Sequence, residues 1–126
     1  MEDLKVAIGS DHGGFYYKEK IIEYLKSRNI PYIDLGTHTR EACDYPNIAR
    51  EVCERVISGQ SNRGILICGT GIGMSIAANK VHGIRAALCG DTYSARVSRA
   101  HNNANVLCLG ERVIGEHLAH DIVDIW

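Results

Sequence analysis

The sequence predicts a three-layer α/β domain built on a parallel five-stranded sheet, and three observations carry that prediction. Strand-like and helix-like stretches alternate along the whole chain. The central apolar run, Ile65-Leu66-Ile67, is unbroken, as a strand buried on both faces requires. That run stops at Cys68, turns through Gly69, Gly71 and Gly73, and passes straight into a helical pattern. No stretch is long enough to be a linker and no internal repeat is present, so residues 1–126 read as one domain.

The elements follow in order. Leu4 to Gly9 is a first strand ending at Ser10-Asp11-His12-Gly13-Gly14, and a first helix runs from about Phe15 to Arg28 with Ile21, Ile22 and Leu25 at helical spacing. Asn29-Ile30-Pro31 breaks it. Tyr32 to Leu35 is a second strand, closed by Gly36, and Thr37 to Cys43 is polar loop. Tyr45-Pro46 opens a second helix to about Ser58, with Pro46 suited to the first turn. Beyond the central strand, Met74 to Lys80 is a third helix and Ile84 to Leu88 a fourth strand. Asp91 or Thr92 caps a fourth helix that ends near His101-Asn102-Asn103. Asn105 to Leu109 is the fifth strand, and a last amphipathic helix starts at Val113.

Composition narrows the function. Hydrophobic residues make up 45% and charged residues 23%, ordinary for a soluble globular protein. A formal net charge of −1 leaves no basic excess for a phosphate backbone, so nucleic acid is not an expected partner. No apolar run has the length of a membrane span and Met1-Glu2-Asp3 is not the basic start of a signal peptide, so a cytoplasmic protein is expected. Five cysteines without a C-x-x-C pair fit neither a disulfide framework nor a thiolate zinc site. Cys89 and Cys108, at the ends of apolar strands, read as small core residues, and Cys43 and Cys53 have no evident task.

In a parallel sheet, ligands bind beyond the carboxyl ends of the strands. Strand one delivers Asp11 and His12 there, strand three delivers Cys68 with its glycine loop, and strand five delivers Arg112. His101 and Asn102 precede strand five instead, so within one subunit they belong at the opposite end of the sheet. A thiol beside a glycine loop at a helix N-terminus is placed where the thiolate is favoured. Such a thiolate can attack a carbon or take a proton from one. Loop amides from Gly69 to Gly73 and the Thr70 hydroxyl can hold a developing oxyanion such as an enediolate. Asp11, His12 and His101 are candidate acids and bases, and Arg112 a candidate phosphate clamp.

Each residue also has a plainer reading. Cys68 can be a core thiol. Gly69-x-Gly71-x-Gly73 can cradle a nucleotide phosphate, with Asp91 near the place of a ribose-binding acid, although the G-x-G-x-x-G spacing is missing. Asp11 and His12 can cap or close the turn at Gly13-Gly14. His101 can serve the helix dipole, and Arg112 can be a surface charge. His117 and His120, three apart without a third ligand, read as surface residues rather than a metal site, and His38 and His82 as loop residues.

Taken together the motifs resemble those of ribose-5-phosphate isomerase type B, within the wider group that includes galactose-6-phosphate isomerase subunits. The matching pieces are Gly9-Ser10-Asp11-His12-Gly13-Gly14, Asp44-Tyr45-Pro46, Gly64 to Gly73, Ala77-Ala78-Asn79-Lys80, Gly83-Ile84-Arg85-Ala86, Ser98 to Leu107 and Gly110-Glu111-Arg112, in order along essentially the whole chain. The resemblance implies a Rossmann-like α/β/α sandwich and an obligate homodimer, or a tetramer of such dimers, with sites between subunits. It implies isomerisation of ribose 5-phosphate and ribulose 5-phosphate without metal or cofactor.

Carried over by position, Cys68 would be the base moving a proton between C1 and C2 through a cis-enediolate. Thr70 and the amides of Gly69, Gly71, Ile72 and Gly73 would stabilise that intermediate. His101 of the partner subunit would open the furanose ring with Asp11, His12 and Arg112 would bind phosphate, and Asn102 the sugar hydroxyls. One branch of the family uses a glutamate base just after the last loop glycine; Met74 stands there, which places this chain with the cysteine branch. The resembled proteins continue past Trp126 with further basic residues, which implies either a shortened chain or a weaker grip on phosphate. A six-carbon sugar phosphate such as allose or galactose 6-phosphate is the alternative substrate. A non-catalytic sugar-phosphate or nucleotide-binding module is the alternative class, and a redox-sensing Cys68 a third idea.

Overall fold

The computed structural model describes residues 3–38 and 45–126; Cys43, Asp44 and most of the predicted 37–43 loop lie outside them. Strands β1 (Val6–Ser10), β2 (Tyr32–Asp34), β3 (Arg63–Cys68), β4 (Ala86–Leu88) and β5 (Val106–Gly110) alternate with helices α1 (Phe15–Ser27), α2 (Tyr45–Ser58), α3 (Ile72–Asn79), α4 (Thr92–Ala100) and α5 (Glu116–Ile125). All four strand pairings are parallel, in the order β2-β1-β3-β5-β4, giving the predicted α/β Rossmann-like sandwich.

The central position of β3 follows from its sequence. Ile65 and Ile67 face a core shared with Ile21 and Leu25 of α1, Ala95 of α4 and Ile122 of α5. Leu66 and Cys68 face the other core, with Val52 of α2 and Met74 and Ala78 of α3. Side chains alternate across a strand, so a strand covered on both faces must be apolar at every position. The register places Cys68 opposite Gly110 and Ser10 opposite Ile67, so three strand ends finish level with one another. No described helix is long and apolar enough to cross a membrane.

Several boundaries differ from the sequence reading. Helix α3 begins at Ile72 rather than Met74 because Gly71 takes a left-handed conformation (φ 81°) and its carbonyl accepts the Ser75 amide at 3.0 Å. A side chain at Gly71 would run into Leu88 Cδ1 as well as adopting a strained backbone. Helix α5 begins at Glu116 rather than Val113, because the amides of Val113 and Ile114 both turn back to the Gly110 carbonyl. Strand β4 begins at Ala86, not Ile84, whose amide instead closes the turn after α3 on Val81. Strand β1 starts at Val6 and runs through Ser10. Asp91 caps α4 as expected, with Oδ1 accepting the Ser94 amide at 2.6 Å.

Candidate active site

The sheet order reverses direction between β1 and β3, and the carboxyl ends of those neighbours frame the crevice where an open α/β sheet binds ligands. Asp11 leaves β1 there. Its amide donates to the Ile67 carbonyl at 3.2 Å, and its Oδ1 accepts the Gly13 amide at 2.8 Å, so it caps the short turn His12–Gly14 ahead of α1. That turn presses on the start of the next loop: a methyl group at Gly13 would sit 3.2 Å from the Gly69 amide nitrogen. His12 projects from it, exposed.

Cys68 is the last residue of β3 and is 6% exposed. The Gly71 amide donates to its Sγ at 3.1 Å, a contact that strengthens as the sulfur gains negative charge. The Thr70 hydroxyl oxygen accepts the Ile72 amide at 3.2 Å. Two of the five amides expected to face an oxyanion are therefore engaged inside the loop, while those of Gly69, Thr70 and Gly73 donate to no acceptor among the described residues. The third strand end completes the crevice. Glu111 and Arg112 donate their amides to the carbonyls of Cys68 and Gly69, both at 2.9 Å. The Arg112 guanidinium then lies over Gly69, its Nη1 3.4 Å from where a methyl group there would be.

The other cysteines among the described residues behave as core thiols. Burial pushes the Cys53 thiol up to about 11 and raises Cys89 and Cys108 too, Cys108 furthest. Cys68 differs in receiving an amide hydrogen bond at the mouth of the crevice.

His101 and Asn102 are not in this crevice. They follow α4 at the amino end of the sheet, where the neighbouring Asn105 carbonyl accepts the amide of Gly64 at 2.9 Å. Gly64 to Cys68 is four steps along β3, roughly 13 Å at about 3.3 Å per residue. One chain thus gathers Asp11, His12, Cys68, its glycine loop and Arg112, and leaves His101 and Asn102 apart, as the order of elements predicted.

The sequence reading gave no role to Tyr45, whose ring stands over Gly73; a methyl group on Gly73 would meet its Cε1 at 3.0 Å and its Oη at 3.2 Å. The signal was available: a helix that follows a strand starts at the carboxyl edge, so the first residue of α2 belongs at the crevice. His117 and His120 are exposed on α5, and His120 meets the Tyr24 ring edge-on at 4.7 Å, which fits their reading as surface residues.

Comparison with known proteins agrees along the whole fold. The profile of the Ribose/Galactose Isomerase family matches residues 6–126. Ribose-5-phosphate isomerase B of Escherichia coli (strain K12) is 52% identical over 122 residues, covering 97% of this chain and 82% of its own. D-erythrulose-4-phosphate isomerase of Pectobacterium atrosepticum is 47% identical, covering 98% and 82%. The structure of Clostridium thermocellum ribose-5-phosphate isomerase B superposes with a TM-score of 0.96 at 58% identity, covering 98% of this chain and 83% of that one.

Proposed function

The chain belongs to the ribose/galactose isomerase family, and from that premise we propose that it interconverts ribose 5-phosphate and ribulose 5-phosphate in the cytoplasm, with neither metal nor cofactor. The observation that carries the reading is the Cys68 sulfur, held by the Gly71 amide at 3.1 Å, next to Gly69, which both the turn after Asp11 and the Arg112 guanidinium approach. Cys68 takes the C2 proton of the open-chain aldose, and the electron pair moves through C1 to O1, giving a cis-enediolate. Return of the proton to C1, with transfer of the C2 hydroxyl proton to O1, gives the ketose. The Thr70 hydroxyl and the amides of Gly69, Thr70 and Gly73, which donate to no acceptor among the described residues, face the charge that develops on oxygen, while the Gly71 and Ile72 amides hold the loop.

His101 and Asn102 enter this scheme from a second copy of the chain. An apolar patch beside the Cys68 loop supports a homodimer with shared sites. Ile72 (51% exposed) and Ile76 (55%) lie one turn apart on α3, and Leu88, also exposed, reaches Gly71 just ahead of that helix. In that arrangement the partner subunit's His101 opens the furanose ring with Asp11, the partner's Asn102 binds sugar hydroxyls, and His12 and Arg112 hold the phosphate. A tetramer of such dimers keeps the same sites.

Turnover tests the reading. Ribose 5-phosphate should be isomerised with a chelator present, and faster than allose 6-phosphate or D-erythrulose 4-phosphate; the last is included because a 47% identical relative carries that activity in its name. Preference for the hexose or the tetrose would keep the chemistry and change the substrate. Cys68→Ala should lower proton exchange at C2 by roughly 100- to 10,000-fold while sugar-phosphate binding persists. Exchange that survived would place the base elsewhere, and a wild-type chain that binds all three compounds and turns over none would be a binding module.

A further inference from the structure

His101 and Asn102 stand on a turn at a helix end, and such a turn is only as fixed as the groups that close it. Backbone closure is present: Asn103 takes a left-handed conformation (φ 51°), and the Ala104 amide returns to the Ser98 carbonyl at 2.8 Å, spanning the end of α4. That closure fixes where the turn ends. It leaves the peptide plane between Asn102 and Asn103 to be set by something else.

Arg85, exposed and just before β4, supplies it. Its Nε donates to the Asn102 carbonyl at 2.7 Å. Arg85 is itself held from both sides by Asn105: its amide donates to Asn105 Oδ1 at 2.8 Å, and its carbonyl accepts the Asn105 amide at 3.0 Å. Asn105 Nδ2 further donates to the Gly83 carbonyl at 3.1 Å. The guanidinium is thus anchored at its root and bonded at its tip. Its Nε–H lies in a rigid plane with one direction, which an ammonium does not offer.

We propose that Arg85 is a positioning residue for the isomerase reaction, holding the Asn102 carbonyl so that His101 and Asn102 are presented to substrate in one orientation. The inference rests on the shared-site reading above. Arg85 touches neither substrate nor Cys68 in it. It acts through the turn, and so it belongs to the half-site contributed in trans.

Mixed dimers test this. Arg85→Ala should lower kcat/KM for ribose 5-phosphate roughly 10- to 100-fold, since small misplacements of catalytic groups have effects of that size. The loss should be smaller with an open-chain substrate analogue, and Arg85→Lys should restore part of it. Mixed with Cys68→Ala subunits, Arg85→Ala should regain activity, because one site in each mixed dimer then has an intact Cys68 from one chain and an intact Arg85–His101 pair from the other. Mixed with His101→Ala subunits it should regain none, because the two defects fall on the same side of every site. Unchanged turnover by Arg85→Ala, equal losses with cyclic and open-chain compounds, or recovery with His101→Ala would each overturn the role. A Cys68→Ala and His101→Ala mixture is the control. If that mixture fails to recover while its subunits exchange, the shared site itself is wrong and this role of Arg85 falls with it.

Discussion

At the carboxyl end of the sheet, main-chain bonds tie one strand end to the next: Asp11 to Ile67, Glu111 to Cys68 and Arg112 to Gly69. At the amino end, three asparagine side chains reach between segments and add to the main-chain bonds there. Asn62 bonds the Lys5 amide and the Asp3 carbonyl, Asn79 bonds both the amide and the carbonyl of Ala86, and Asn105 bonds Arg85 and Gly83. The difference is one of spacing. At the glycine loop after Cys68 the chain comes so close to its neighbours that a methyl group on Gly71 would meet Leu88 and Leu109. At the turn after α4, side chains brace the backbone and leave His101 to Asn103 exposed.

The largest effect that would break this comparison comes from crowding the carboxyl end. Gly71→Ala puts a methyl group against Leu88 and the Leu109 carbonyl carbon at a φ of 81°. Left-handed strain and overpacking together should cost on the order of 3 kcal/mol, and the amide that meets Cys68 Sγ should shift, taking activity with it. Thermal unfolding and turnover measured side by side check this. A variant with the wild-type midpoint would mean that the loop relaxes, and that close backbone approach is not what shapes the crevice.

A smaller effect comes from the core, at the Cys53 thiol. Cys53 is fully buried, and burial raises its thiol from an ordinary 9.0 to about 11. The folded chain therefore keeps this proton where the unfolded chain has lost it. The contribution is intact below pH 9, is lost between pH 9 and 11, and changes no further above that; a shift of this size amounts to on the order of 2 kcal/mol. Urea unfolding at pH 7, 9 and 11 should show the decline, and Cys53→Ala should make it shallower. An unchanged slope in the variant would assign the alkaline loss to other groups.

Glycines explain why the crevice at Cys68 was legible from the residues themselves, whereas His101 and Asn102 drew their roles from the family resemblance. Gly69, Gly71 and Gly73 after an apolar run announce a backbone-built crevice, and the strand order then assigns Asp11 and Arg112 to it. The alternation of apolar runs and helical spacing was enough for all five strands and five helices. Boundaries failed where a single dihedral or carbonyl decides them, as at Gly71 and Gly110. Arg85 was invisible because its bond to Asn102 spans seventeen positions and leaves no local pattern. The asparagine braces share that property, Asn62 reaching fifty-seven positions back to Lys5. Sequence order alone placed His101 and Cys68 at opposite ends of the sheet, and it was the family resemblance that implied a second copy of the chain to join them.

The smallest effect sharpens the same contrast with one backbone conformation at both ends. Asn103 shares the left-handed region with Gly71 but lies exposed, at φ 51°. Asparagine tolerates that region better than most residues, and solvent leaves room for a side chain. Asn103→Ala should therefore cost about 1 kcal/mol in urea unfolding, from the backbone alone, and Asn103→Gly should fall within a few tenths of wild type because relief of strain is offset by a more flexible unfolded chain. The left-handed backbone is common to both positions, so the gap between Asn103→Ala and Gly71→Ala measures what crowding adds at the carboxyl end. Equal costs at the two positions would mean that strain, not close packing, is all that distinguishes the crevice from the brace.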